Sequence, residues 1–83
     1  MEKLGRVVGI VSLQNNQIVI SHKNGDSFWS YSAFIGARMN NKFYFSKLHN
    51  YSSTTSKWCC NWCGHTGKER EKMLKNKEAE LVE

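Results

Sequence analysis

From Val7 to Lys47 the chain alternates between short apolar runs and pairs of turn-forming residues. Asn15-Asn16 separates Val7–Leu13 from Gln17–His22. Asn24-Gly25 separates that run from Ser27–Arg38, and Asn40-Asn41 separates Ser27–Arg38 from Lys42–Lys47. Asparagine tolerates, and glycine favours, the positive φ that two-residue hairpin turns need. The flanking runs are rich in Val, Ile, Phe, Trp and Tyr, which suit a pleated, half-buried surface. The pattern predicts an antiparallel meander of about four strands. Within it, Ile18 and Ile20 share one side of the second strand, with Val19 on the other. Phe43 and Phe45 share one side of the fourth, with Tyr44 on the other. Gly36, late in the long third run, marks a bulge or bend.

After the strands the period changes. A hydroxyl-rich stretch, Tyr51 to Lys57, offers Ser52, Ser53 or Thr54 as a helix cap. The predicted helix runs from about Thr54 to Cys63. Trp58 and Trp62 are spaced for adjoining turns, as are Cys59 and Cys63, which places both pairs on one face. That face is the expected cover of the sheet, with Trp58 and Trp62 in the core. Gly64 fits the helix end. Thr66-Gly67-Lys68-Glu69 reads as a capping box opening a second helix that extends to about Leu81, sparse in apolar residues. The expected fold is therefore α+β, in one domain. Residues 1–65 form the antiparallel sheet and its covering helix, and residues 66–83 form a charged C-terminal helix or tail.

Length and charge narrow the function. Eighty-three residues without proline suffice for one small core, but not for a second domain or a deep, walled active site. No run approaches the ~20 apolar residues of a membrane helix, and the N-terminus does not read as a signal peptide. The expectation is a host-cytoplasmic protein, away from the membrane, with reduced thiols. Residues 1–63 carry seven cationic residues against two acidic ones, while the cations and anions of residues 64–83 cancel. The whole net charge of +5 thus sits on the N-terminal body, which favours acidic partners.

Four groups of residues are candidates for chemistry or binding. Cys59, Cys60, Cys63 and His65 are zinc-ligand types at close spacing, with His22 or His49 as further donors. A structural zinc site usually shows two separated ligand pairs, so packing of the cysteines beside the tryptophans is the preferred reading. The aromatics Phe28, Trp29, Tyr31, Phe34, Phe43, Tyr44 and Phe45 lie on the third and fourth predicted strands, near Arg38, Lys42 and Lys47. Most belong in the core, while Trp29 or Tyr44 left outside would resemble the stacking surfaces that hold single-stranded bases. Ser53, Thr54 and Lys57, at a helix start, suit an anion as well as capping. His22, His49 and His65 find only one aspartate, Asp26, so a nucleophilic triad lacks its parts. Paired body carboxylates and a glycine-rich phosphate loop are also missing, and the chain is read as a non-enzyme.

Ser30-Tyr31-Ser32-Ala33-Phe34-Ile35-Gly36-Ala37, Asn41 to Phe45, and Asn50 to Lys57 together resemble a family of short, uncharacterised bacteriophage and mobile-element proteins. That family shows a Ser-Tyr-x-x-x-Ile strand and a Tyr-Ser-x-Thr-Thr-x-Lys-His helix start. This chain has Trp58 where the family has histidine. The resemblance implies a small accessory protein that binds a host protein or nucleic acid.

The reading is thus non-catalytic binding of a host macromolecule, foremost a protein, through Arg38, Lys42, Tyr44, Lys47, Ser53, Thr54 and Lys57. A basic nucleic-acid-binding module is the first alternative. A small zinc domain using Cys59, Cys60, Cys63 and His65 is the second. An exposed strand edge, or the tail helix, also leaves room for a homodimer.

Overall fold

The computed structural model describes residues 4–14 and 16–82. The chain forms a sheet of six strands in sequence order. They are β1 (Val7–Ser12), β2 (Gln17–His22), β3 (Gly25–Ser30), β4 (Ala33–Met39), β5 (Lys42–Phe45) and β6 (Ala79–Leu81). A short 3-10 turn (Lys47–Asn50), α1 (Ser53–Cys63) and α2 (Gly67–Lys75) lie between β5 and β6. The pairings from β1 to β5 are antiparallel, and β6 joins β5 in parallel.

The α+β meander stands, with two additions. The expected third strand is two, because the chain turns back at Tyr31-Ser32 between Ser30 and Ala33. Both turn residues have positive φ, 50° and 69°, the requirement of a type I′ hairpin turn. Neither is glycine or asparagine, so this turn carried no compositional mark. Asn40 and Asn41, at 55° and 63°, make the expected I′ turn between β4 and β5. Asn16 has φ 60°, and Asn15 lies outside the described residues.

The register shift between β3 and β4 sets Phe28 opposite Gly36 and Trp29 opposite Phe34, leaving Ile35 as the extra residue of a bulge. Gly36 is needed for space: a Cβ there would stand 2.9 Å from the Tyr44 carbonyl oxygen and 3.2 Å from the Trp62 ring. Gly25 opens β3, and its role is likewise close approach, since a Cβ would fall onto the Arg38 carbonyl.

Ser52 caps α1 by accepting from the Thr55 N–H, and Gly64 closes it at φ 80°. Thr66 and Glu69 form the expected capping box of α2. That helix stops earlier than the sequence suggested. Lys77 is left-handed (φ 61°), its N–H donates to the Leu74 carbonyl, and the Glu78 N–H donates to Met73. This is a Schellman ending with lysine in the position glycine usually takes. The freed segment becomes β6, held by Phe43↔Ala79 to Phe45↔Leu81 pairing and by the Val82 N–H on Phe45.

Paired residues share a face, so Val19, Phe28 and Phe45 point to the helices. The core gathers Phe28, Ile35, Phe45, Cys59 and Ala79, with Trp58, Trp62, Phe43, Leu48, Met73 and Leu74 packed against it. Trp62 stacks on Phe28 at 5.6 Å and meets Phe43 edge-on at 5.7 Å. Both tryptophans are half-buried and pack against this core. Ile18, Ile20, Trp29, Phe34 and Tyr44 share the opposite face, where a smaller cluster of Leu4, Ala37 and Met39 lies. No residue of α1 or α2 belongs to that cluster.

Candidate functional site

The turn at Tyr31-Ser32 and the start of α1 meet at one end of the sheet. Between them lies a cleft of about 340 Å³. Ala33, Ile35 and Leu48 give it apolar walls. Ser30, Ser52 and Thr55 supply hydroxyls that bond to one another: Ser52 Oγ donates to Thr55 Oγ1 at 3.1 Å, and Ser30 Oγ lies 3.2 Å from the same oxygen. Tyr31 and Tyr51 complete the lining. They are 60% and 77% exposed, the latter the most exposed large apolar side chain among the described residues. Tyr31 is held in the left-handed region, which costs a bulky residue about 1–3 kcal/mol. Both ends of the segment that carried the resemblance, Ser30 to Ile35 and Tyr51 to Thr55, converge on this cleft.

The residues selected from sequence do not form one surface. Ser53 and Thr54 are exposed on the first turn of α1, beside the cleft, and Lys57 is exposed one turn further on. Lys47 is exposed next to Leu48, at the same end. Arg38 and Lys42 flank the Asn40-Asn41 turn at the opposite end. Arg38 lies on the helix-bearing face, its Nε 3.3 Å from Asp26, whose other oxygen accepts from Trp62 Nε1 at 3.2 Å. Lys42 pairs with Glu80 at 3.6 Å and hangs 5.9 Å over the Tyr44 ring on the face opposite α1 and α2. Trp29 shares that face, half-buried, its Nε1 donating to Ser27 Oγ, which also lies 2.9 Å from His22 Nε2.

The zinc-ligand types do not converge. Among the described residues no group of three or more His, Cys, Asp or Glu side chains is placed to hold a metal ion. The helix explains why: Cys59 and Cys63 share a stripe, and Cys60 is turned about 100° away from Cys59. All three are free thiols. Coupling between the neighbouring Cys59 and Cys63 thiols raises the Cys59 pKa and lowers that of Cys63. Cys63 donates to the His65 carbonyl at 3.6 Å, while the His65 ring packs edge-on against Phe43. His22 and His49 are engaged elsewhere.

What the sequence reading missed is Arg70. It sits in the helix read as polar, yet its relative exposure is 0%. It donates to His49 Nδ1 and to the His49 carbonyl, Asn50 Oδ1, Ser56 Oγ and the His65 carbonyl, at 2.7–3.2 Å. None of these acceptors is a carboxylate. The guanidinium thus ties the 3-10 turn, α1 and α2 together beneath the cleft-bearing end of the helical layer. Burial, and then the charge of Arg70, lower the pKa of His49 and keep its Nδ1 free to accept.

The chain matches the model of a family of unknown function (DUF8033) over residues 9–80, and so belongs to that family. No curated protein and no solved structure matches it.

Proposed function

We propose that this member of DUF8033 is a non-catalytic binding protein, a small phage-type accessory factor that grips a protein of its host cell. The observation that carries this reading is the cleft with two exposed tyrosines on its lining. Exposed tyrosines beside a partly enclosed apolar recess are the usual anchor points of protein interfaces, because the ring contributes area at small entropic cost. The volume, about 340 Å³, suits one large side chain of a partner. The lining holds hydroxyls but neither histidine nor carboxylate, so it offers surface and hydrogen bonds more readily than proton transfer.

The test is a pull-down from host lysate with wild type, Tyr51→Ala and Tyr31→Asn, the last keeping a turn-competent residue while deleting the ring. Retention of one partner, weakened roughly tenfold or more by each change, is expected. Recovery of no specific partner, or equal recovery by all three proteins, would overturn the reading.

One observation favours nucleic acid instead. Trp29 and Tyr44 are half-buried on the face opposite α1 and α2, with Lys42 over the Tyr44 ring. That reading requires a gel shift with single-stranded DNA or RNA that weakens steeply with salt, and no shift at low salt ends it.

A further inference from the structure

The two borders of the sheet are built differently. β6 is three residues long and carries Glu80, a short and charged edge of the kind that resists further pairing. β1 is six residues long and carries Val7, Val8, Ile10 and Val11 at 53%, 59%, 64% and 53% exposure. Among the described residues its only strand partner is β2. A register shift between Val7 and Gly9 disturbs its start, and from Gly9 to Ser12 the pairing is regular. Natural edges of this length normally carry a lysine, a proline or an inward charge. β1 has none of these.

The exposed residues also say what would fit. Ile10 and Val11 point to opposite faces of the strand, yet both are more than half exposed. A strand that alternates apolar and polar residues would cover one of them and set a polar side chain against the other. The best occupant is apolar on both faces and uncharged. The chain contains such a strand in β1 itself.

Charge points the same way. Residues 7–22 hold no Lys, Arg, Asp or Glu, so the β1–β2 hairpin is a neutral region of a molecule of net charge +5. Antiparallel self-pairing places Arg6 of one copy at the Ser12 end of the other, and the two arginines stay at opposite ends of the contact. We propose that β1 pairs antiparallel with β1 of a second copy, making a two-fold dimer with one continuous twelve-stranded sheet. This assignment rests on the edge alone and is independent of the cleft.

Sedimentation equilibrium of the full chain over rising concentration tests it, together with amide hydrogen exchange across Val7–Ser12. A concentration-dependent dimer is expected, with the β1 amides slowing as it forms. Ile10→Lys and Val11→Lys, on opposite faces of the strand, are each expected to weaken association roughly tenfold or more. A monomer at every concentration would overturn the proposal. So would a dimer that leaves β1 exchange unchanged, or one unaffected by both lysines. The exchange measurement needs only the wild-type chain, so it decides even where a variant folds poorly.

Discussion

The two halves of the sheet spend their apolar residues in opposite ways. In the β3–β5 half, Phe28, Ile35 and Phe45 are at most 2% exposed beneath the helices. In β1, four aliphatic side chains stand more than half in water. The strands are equally good strand formers, so propensity does not separate them. What separates them is reach: a 3-10 turn and helices of eleven and nine residues roof the centre of the sheet and leave its first border uncovered. Stability is therefore concentrated where the roof is, and the β1 border is left with its aliphatic side chains in water.

The comparison is broken most severely by removing what holds the roof together. Arg70→Met keeps most of the side-chain volume and strips the donors from His49, Asn50, Ser56 and the His65 carbonyl. A buried acceptor left without a donor costs about 1–3 kcal/mol. Relief of the buried charge offsets part of that cost, and the expected loss is about 3 kcal/mol in urea unfolding. That is a large share of the roughly 5–15 kcal/mol available to a domain. Arg70→Lys keeps the charge but lacks the planar fork, so it falls between wild type and Met. A loss below about 0.5 kcal/mol for Met would show that the network adds little to packing.

Arg70 also shows where sequence reading stops. The capping box at Thr66, the cap at Gly64 and the tryptophan pair were legible because each rests on short-range spacing. The asparagine turn at Asn40-Asn41 was legible because positive φ has a compositional signature. The Tyr31-Ser32 turn was not, since neither residue advertises left-handed backbone, and one long strand was read in place of two. The Lys77 helix ending was hidden for the same reason, and β6 with it. Arg70 looks like any surface arginine of a polar helix, because four of its five bonds reach residues 14 to 21 positions away. The cleft followed the same rule. Of its hydroxyls only Ser52 was read as a cap, and its tyrosines meet only after a turn that the sequence concealed.

A smaller effect sharpens the comparison through pH. His49 is buried against Arg70, and burial is the main reason its pKa lies below the ordinary 6.5. The folded chain thus resists protonation that the unfolded chain accepts. In the window below about 6.5 the unfolded state binds more protons, so stability falls as pH drops through that value and is regained above it. Glu71 raises the His49 pKa and moderates the loss. Glu69 acts lower down: the Thr66 N–H depresses its pKa, so its contribution fades as pH falls below 4.5. Urea midpoints at pH 7.5 and 5.5 are expected to differ in wild type. The difference should shrink in His49→Gln, which keeps an acceptor for Arg70 but does not titrate. An unchanged difference in that variant would move the acid sensitivity to another group.

The smallest effect lies at the uncovered border. Ile10→Ser removes an aliphatic side chain that is 64% exposed, so little burial is lost within one copy. At concentrations low enough to keep copies apart, the change should be within about 0.5 kcal/mol of wild type. A side chain of the same kind in the roofed half, such as Ile35 at 2% exposure, would cost about 2–5 kcal/mol on truncation to Ala. The near-zero value is the informative one. If Ile10→Ser costs more than about 1 kcal/mol in the dilute chain, β1 is packed within its own molecule, and the contrast between a roofed half and an open half fails. If it costs nothing when dilute but lowers stability at high concentration, the residue acts only when a second surface covers it. Linkage demands that result of any group that contributes to the associated state alone.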